Sequence, residues 1–217
     1  MKGLLIKDIK LLVKQQRFFS SIIFIAVVLT VVTDNPSFIV GYMTFIGSSF
    51  TLSSITYDEF DNGNAFLFSL PITRRMYTKE KYSFALILGG GFWVFSTALA
   101  AAVGEMKQMA SIGDTLIISC MILPIMLVML SIMLPFQLKY GGEKGRIAAI
   151  VMVGGIFIAF LIMAKAAEWL NIDLEGVFGS FPTMDGKAIV AAALIFAFVI
   201  LLISIRASIF IMEKKEF

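Results

Sequence analysis

The sequence predicts an all-α, polytopic membrane protein with about six transmembrane helices. Three observations carry that class. Of the 217 residues, 59% are hydrophobic and only 15% charged, with a mean hydropathy of +0.93; soluble domains carry roughly 25% charge. One soluble core of this size could not enclose so much apolar surface. The apolar residues fall in runs long enough to cross a bilayer, and the basic residues fall in the gaps between them. The net charge of +3 therefore does not mark a nucleic-acid binder, because no compact basic domain forms.

Taken in order, residues 2 to 17 have an amphipathic helix pattern. Leu5, Ile9, Leu12 and Val13 share one face, and Lys7, Lys10, Lys14 and Arg17 another. Such a helix lies in the headgroup layer, either as a plain anchor or as a platform that also meets a cytoplasmic partner. Span one then runs from about Phe18 to Thr33. With lysines before it, it has the outline of a signal peptide, but the region around Val31 and Thr33 lacks the small-residue pair of a cleavage site. Span two covers Phe38 to Tyr57, span three Tyr82 to Gly104, span four Ile112 to Leu138, span five Ile147 to Ala167 and span six Ala188 to Met212. Pro124 and Pro135 are expected to bend span four or loosen its backbone bonding. Gly89, Gly90 and Gly91, and the pairs Ala98 with Ala102 and Ser49 with Ser53, are candidates for close helix contacts.

Orientation follows from the lysine and arginine bias. With the N-terminus inside, fifteen basic residues fall on the inner side, counting Arg206, which can snorkel there. Only Lys107, Lys165 and Lys187 fall outside. Both termini then lie in the cytoplasm, which requires an even number of spans. The outer segment 168–186 is acidic, with Glu168, Asp173, Glu175 and Asp185, and Trp169 suits an interface.

The inner loop from Asp58 to Lys81 is more than a linker. It exposes Phe60, Phe66, Leu67, Phe68 and Leu70 beside Asp58, Glu59 and Asp61. Asp61 or Asn62 can cap a short helix that Pro71 ends, and Thr73 can cap the helix leading into span three. The residues fit two readings equally, a docking element and an interfacial helix burying its phenylalanines in lipid.

Catalytic constellations are missing. The stretch Gly141-Gly142-Glu143-Lys144-Gly145-Arg146 fails the spacing of a phosphate-binding loop. No histidine is present to serve as base or metal ligand, and Cys120 is alone. Neither catalytic nor metal residues are assigned. No ionisable group lies near a span's midpoint, as an ion-coupled transporter needs.

Against this background the opening Met1-Lys2-Gly3-Leu4-Leu5-Ile6-Lys7-Asp8 resembles the start of small bacterial ABC exporter permeases of the second type. So do Tyr57-Asp58-Glu59, then Ser69-Leu70-Pro71-Ile72-Thr73-Arg74, then Lys81-Tyr82, at the position of that family's first inner loop. The six-span layout is similar over essentially the whole chain, as one permease domain, 1–217. The resemblance implies a multi-pass subunit of the bacterial cytoplasmic membrane that dimerises with itself or a relative. It implies docking on separate ABC ATPase subunits, which bind the ATP and Mg. The loop 58–81 then holds the coupling helix, with Asp58, Glu59, Phe60, Asp61, Phe66, Leu67, Phe68 and Leu70 at the ATPase contact. The N-terminal helix, through Lys7, Lys10, Lys14 and Arg17, forms part of the docking surface. Similar small permeases export amphipathic peptides, bacteriocins or lipophilic drugs. The alternative is a membrane scaffold or immunity protein that binds a partner and moves nothing.

Overall fold

A computed structural model describes residues 2–32, 36–60, 63–108, 111–142 and 186–215, with short pieces between 144 and 165. The described elements are helical: α1 (Lys2–Lys14), α2 (Gln16–Val32), α3 (Pro36–Glu59), α4 (Gly63–Ser69), α5 (Arg74–Met106), α6 (Ile112–Tyr140) and α7 (Gly186–Lys214). Four of them, α3, α5, α6 and α7, are long and apolar enough to cross a membrane by themselves. The pair α1 and α2, bent by 66° at Gln15, makes a fifth candidate. The break leaves Arg17 on α2, beyond the end of the amphipathic helix. The expected span Ile147 to Ala167 and the segment 168–186 lie largely outside the described residues.

The ends of the helices follow local chemistry. Thr73 caps α5, its hydroxyl accepting from the Met76 amide at 3.2 Å. Ser111 caps α6 in the same way, accepting from the Asp114 amide at 3.1 Å. Helix α6 continues through both Pro124 and Pro135 and stops at Gly141, where φ is +67° and ψ 170°. That conformation belongs to glycine.

Two apolar cores hold the bundle. In one, Leu52 and Ile55 of α3 meet Tyr77, Tyr82 and Ala85 of α5, Leu130 and Leu134 of α6, and Leu201 of α7. In the other, Phe19, Ile22 and Ala26 of α2 meet Ile39, Met43 and Phe50 of α3 and Phe84 of α5. Close approach relies on Gly47, where an added Cβ would sit 2.3 Å from the Phe92 ring, and on Gly89, where it would sit 2.5 Å from the Met126 sulfur. By contrast Gly90 and Gly91 face open space, and Ala98 and Ala102 are exposed, so the small-residue contact runs along a different face of α5 than the alanine spacing suggests.

Cross-helix bonds fix the directions. Ser54 of α3 meets Lys81 of α5, while Gly47 meets Phe92, so these two helices are antiparallel. Ser204 of α7 donates to the Ser131 carbonyl of α6 at 2.6 Å, and Lys215, beyond α7, donates to the Leu138 carbonyl at 2.9 Å. Helices α6 and α7 are therefore parallel. The end of the bundle carrying α4, which also carries the start of α5 and the C-termini of α3, α6 and α7, is called the loop end below.

Candidate functional site

The loop end is where the charged and aromatic side chains gather. Its centre is Lys81, on the eighth residue of α5 and fully buried. A lysine ammonium has three donors. Here they meet Asp8 of α1 at 2.5 Å, Ser54 of α3 at 2.6 Å and Asp58 at the end of α3 at 2.7 Å. Asp58 also accepts from Lys7 and, at 3.1 Å, from the Tyr77 hydroxyl. Lys7 lies 3.2 Å from the second oxygen of Asp8. The network thus joins α1, α3 and α5 at one point. Burial works against the ionised Asp8, but the Lys81 ammonium, helped by Lys7, outweighs it and holds that carboxyl below its usual range.

The next residue, Tyr82, faces the other side of α5. Its hydroxyl lies 2.6 Å from that of Ser204 and 2.8 Å from that of Ser208, both on α7. Adjacent residues of one helix thereby tie α5 to α1 and α3 on one side and to α7 on the other. A further tie uses Glu59, whose carboxylate accepts from the Gly142 amide at 2.5 Å and from Lys215 at 3.0 Å. Gly141 is needed here a second time, since a Cβ on it would lie 2.2 Å from the Glu59 carboxylate.

Helix α4 rests on this platform. Leu67 and Phe68 turn inward against the core. The Phe68 ring meets Tyr77 edge-on at 5.6 Å, and the Arg74 guanidinium stands over the Phe68 ring, 6.0 Å from its centroid. Phe66 points the opposite way and is 71% exposed; Phe60 is 72% exposed, and Leu70 is exposed too. An unbroken chain of contacts therefore leads from α4 through Phe68, Tyr77, Asp58 and Lys81 to Asp8 on α1.

The eight loop residues separate accordingly. Phe60, Phe66 and Leu70 form the outward surface. Asp58, Glu59, Leu67 and Phe68 face inward, and Asp61 lies outside the described residues. On the N-terminal helix, Lys10, Lys14 and Arg17 are exposed, whereas Lys7 is engaged with Asp58 and Asp8. The apolar face divides as well: Leu5 and Leu12 pack on the core, while Ile6, Ile9 and Val13 remain exposed. Sequence reasoning missed Asp8 and Lys81 as a pair. The one available signal was Asp8 itself, a lone acid in a basic amphipathic helix, one turn after the buried Leu4.

A bundle of long apolar helices with a short, aromatic-tipped helix packed across one end defines a multi-pass membrane protein. The sequence matches the ABC-2 family transporter protein description over residues 3–213, and the chain belongs to that family. It is a membrane subunit of an ABC transporter, the transmembrane component that works with an ABC ATPase subunit. Comparison with curated proteins and with solved structures returns no match.

Proposed function

We propose that this chain is the permease of an ATP-driven exporter for amphipathic or hydrophobic cargo, such as a peptide, a bacteriocin or a drug-like molecule. It works as a dimer with itself or a relative. Its loop end faces the cytoplasm, placing both termini there, and the partner ATPase supplies ATP and Mg. The observation that supports this best is α4: an outward Phe66 on a helix whose inward Phe68 packs on Tyr77, itself tied into the network that joins α1, α3 and α5. A lipid anchor needs the outward aromatic but gains nothing from the fastening. A coupling element needs both, since a push on its surface has to reach the spans. In this reading Phe60, Phe66 and Leu70 touch the ATPase, and Asp58, Glu59, Leu67 and Phe68 are positioning residues. Lys10, Lys14 and Arg17 border the docking surface.

The test is co-purification of a partner ABC ATPase co-expressed with this chain. Phe66→Ala should weaken docking by roughly 1–3 kcal/mol, as truncation of a buried interface aromatic does, while leaving the level of inserted protein unchanged. Phe68→Ala should lower both docking and protein level, because Phe68 fills the core under α4. Undiminished association and undiminished stimulated hydrolysis in Phe66→Ala would leave α4 as a lipid-facing anchor and favour the scaffold reading.

A further inference from the structure

Between α5 and α7 at the loop end lies a groove of about 530 Å³. Three cations border it: Arg75 and Lys79, one turn apart on α5, and Arg206 on α7. Its apolar wall comes from Leu202, Ile205 and Ile209, on the stretch of α7 that leads toward the middle of the bundle. We infer that this groove is a binding site for an anionic phospholipid, with the phosphate among Arg75, Lys79 and Arg206 and an acyl chain along Leu202, Ile205 and Ile209.

The charge balance carries the argument. Among the described residues Glu213 is the one carboxylate lining the groove, and Arg75 already binds it at 2.6 Å. Arg74 takes the nearby backbone acceptors, donating to the Glu213 carbonyl at 2.8 Å and the Met212 carbonyl at 3.3 Å. Lys79 and Arg206 have no acidic partner among the described residues. Arg206 interrupts an otherwise apolar run of α7, where a charge is costly unless something answers it. Simple snorkelling would send it toward water alone; instead it converges with two other cations. Like charges gathered at the edge of a bilayer call for an anion, and basic pockets between helices at the cytoplasmic side suit lipid headgroups. The apolar wall selects the source. A free phosphate or a soluble metabolite has no use for it, whereas an acyl chain does. Leu202 and Phe210, on the outer side, are exposed, so the groove opens sideways toward the bilayer.

Assignment to the cytoplasmic leaflet rests on the proposed orientation, but the binding does not, and the experiment reads binding alone. The full chain is purified in detergent and titrated, by native mass spectrometry, with phosphatidylglycerol or with phosphatidylcholine of the same acyl chains. One phosphatidylglycerol should be retained at about 25-fold lower concentration than phosphatidylcholine, since Lys79 and Arg206 each contribute about a factor of five near a headgroup. The double variant Lys79→Gln/Arg206→Gln should lose that preference, and Lys79→Arg/Arg206→Lys should keep it. The remote pair Lys10→Gln/Lys14→Gln should also keep it. Excess inorganic phosphate should leave the lipid in place. Equal retention of the two lipids, an unchanged preference in the glutamine variant, or displacement by inorganic phosphate would each overturn the assignment. So would lipid retained by the monomer and excluded from a dimer, which would give the groove to a second copy of the chain.

Discussion

Replacing Lys81 by methionine keeps the length of the side chain and removes all three of its donors. Asp8 is left fully buried and Asp58 nearly so, with 9% of its side chain exposed. Lys7 remains as their cation, held at the rim with 37% of its side chain exposed. Removing one partner from a buried ion network leaves uncompensated charge and costs about 3–5 kcal/mol. Lys81→Met should therefore be strongly destabilised, measured as the unfolding midpoint in detergent with Trp93 fluorescence as one probe. The second half of the reasoning is the cycle. In Asp8→Asn the Lys81 ammonium keeps Asp58, so the loss should be smaller. In the double variant Asp8→Asn/Lys81→Met, Lys7 and Asp58 still pair, and the loss should fall short of the summed single effects by about 1–3 kcal/mol, as expected for residues in one network. Lys81→Arg should rescue only partly, because a planar guanidinium cannot aim at three acceptors placed for an ammonium. Strict additivity, or a Lys81→Met variant within about 0.5 kcal/mol of the parent, would refute the claim that this network holds α1 to α3 and α5.

Other expectations follow from the same geometry. Gly141→Ala should destabilise by about 1–3 kcal/mol, the usual cost of a side chain in this glycine-only backbone region, and Glu59→Ala, which removes the carboxylate the new methyl would meet, should lower part of that penalty in the double variant. Gly47→Leu, driven into the Phe92 ring, should cost at least about 1–3 kcal/mol through overpacking, read as loss of folded protein in the membrane. Because the Asp8 carboxyl is held below its ordinary value, its contribution is present above about pH 4 and lost on further acidification; limited proteolysis at Lys10 and Lys14 should rise over that range and should not do so in Asp8→Asn. Tyr140→Cys, placed at the exposed loop end of α6 in a Cys120→Ala background, should react with impermeant thiol reagents only after the cytoplasmic side is opened. Reaction in intact cells would reverse the proposed orientation.

Much of the fold was readable because hydropathy is a one-dimensional signal. The apolar runs located α3, α6, α7 and the end of α5 within a few residues; the start of α5 lies eight residues before its apolar run and was marked instead by Thr73, through ordinary capping chemistry. The turn between the amphipathic helix and span one was readable, but its place at Gln15, two residues before the expected end at Arg17, was not. No proline or glycine marks Gln15, and the bend there comes from tertiary contacts: Asp8 is drawn to Lys81, while Phe19 is drawn to Phe50 and Phe92. Small-residue spacing was equally ambiguous. Alanine pairs and glycines satisfy the same pattern, and only the position of Phe92 and Met126 decides that Gly47 and Gly89 are the close-packed ones.

The site shows a deeper limit. Charged residues beside a membrane span look alike in sequence, whether they meet water, a partner or each other. Asp58, Glu59 and Phe68 have the composition of a docking surface, yet their side chains turn inward, and the surface is left to Phe60, Phe66 and Leu70. The inward set nevertheless matters for any docking function, since an outward phenylalanine on a loose loop would absorb a push rather than transmit it. Helix α5 is 33 residues long, about 50 Å at 1.5 Å per residue, against a hydrocarbon core of about 30 Å. Its excess length allows Tyr77, Lys81 and Tyr82 to sit near one end of the span rather than in its apolar middle. There a buried ammonium can be answered by two carboxylates and a hydroxyl at tolerable cost, with α4 and α1 attached near the tip of α5. In the coupling proposed above, that placement lets the network carry force into the membrane without itself having to lie deep within it.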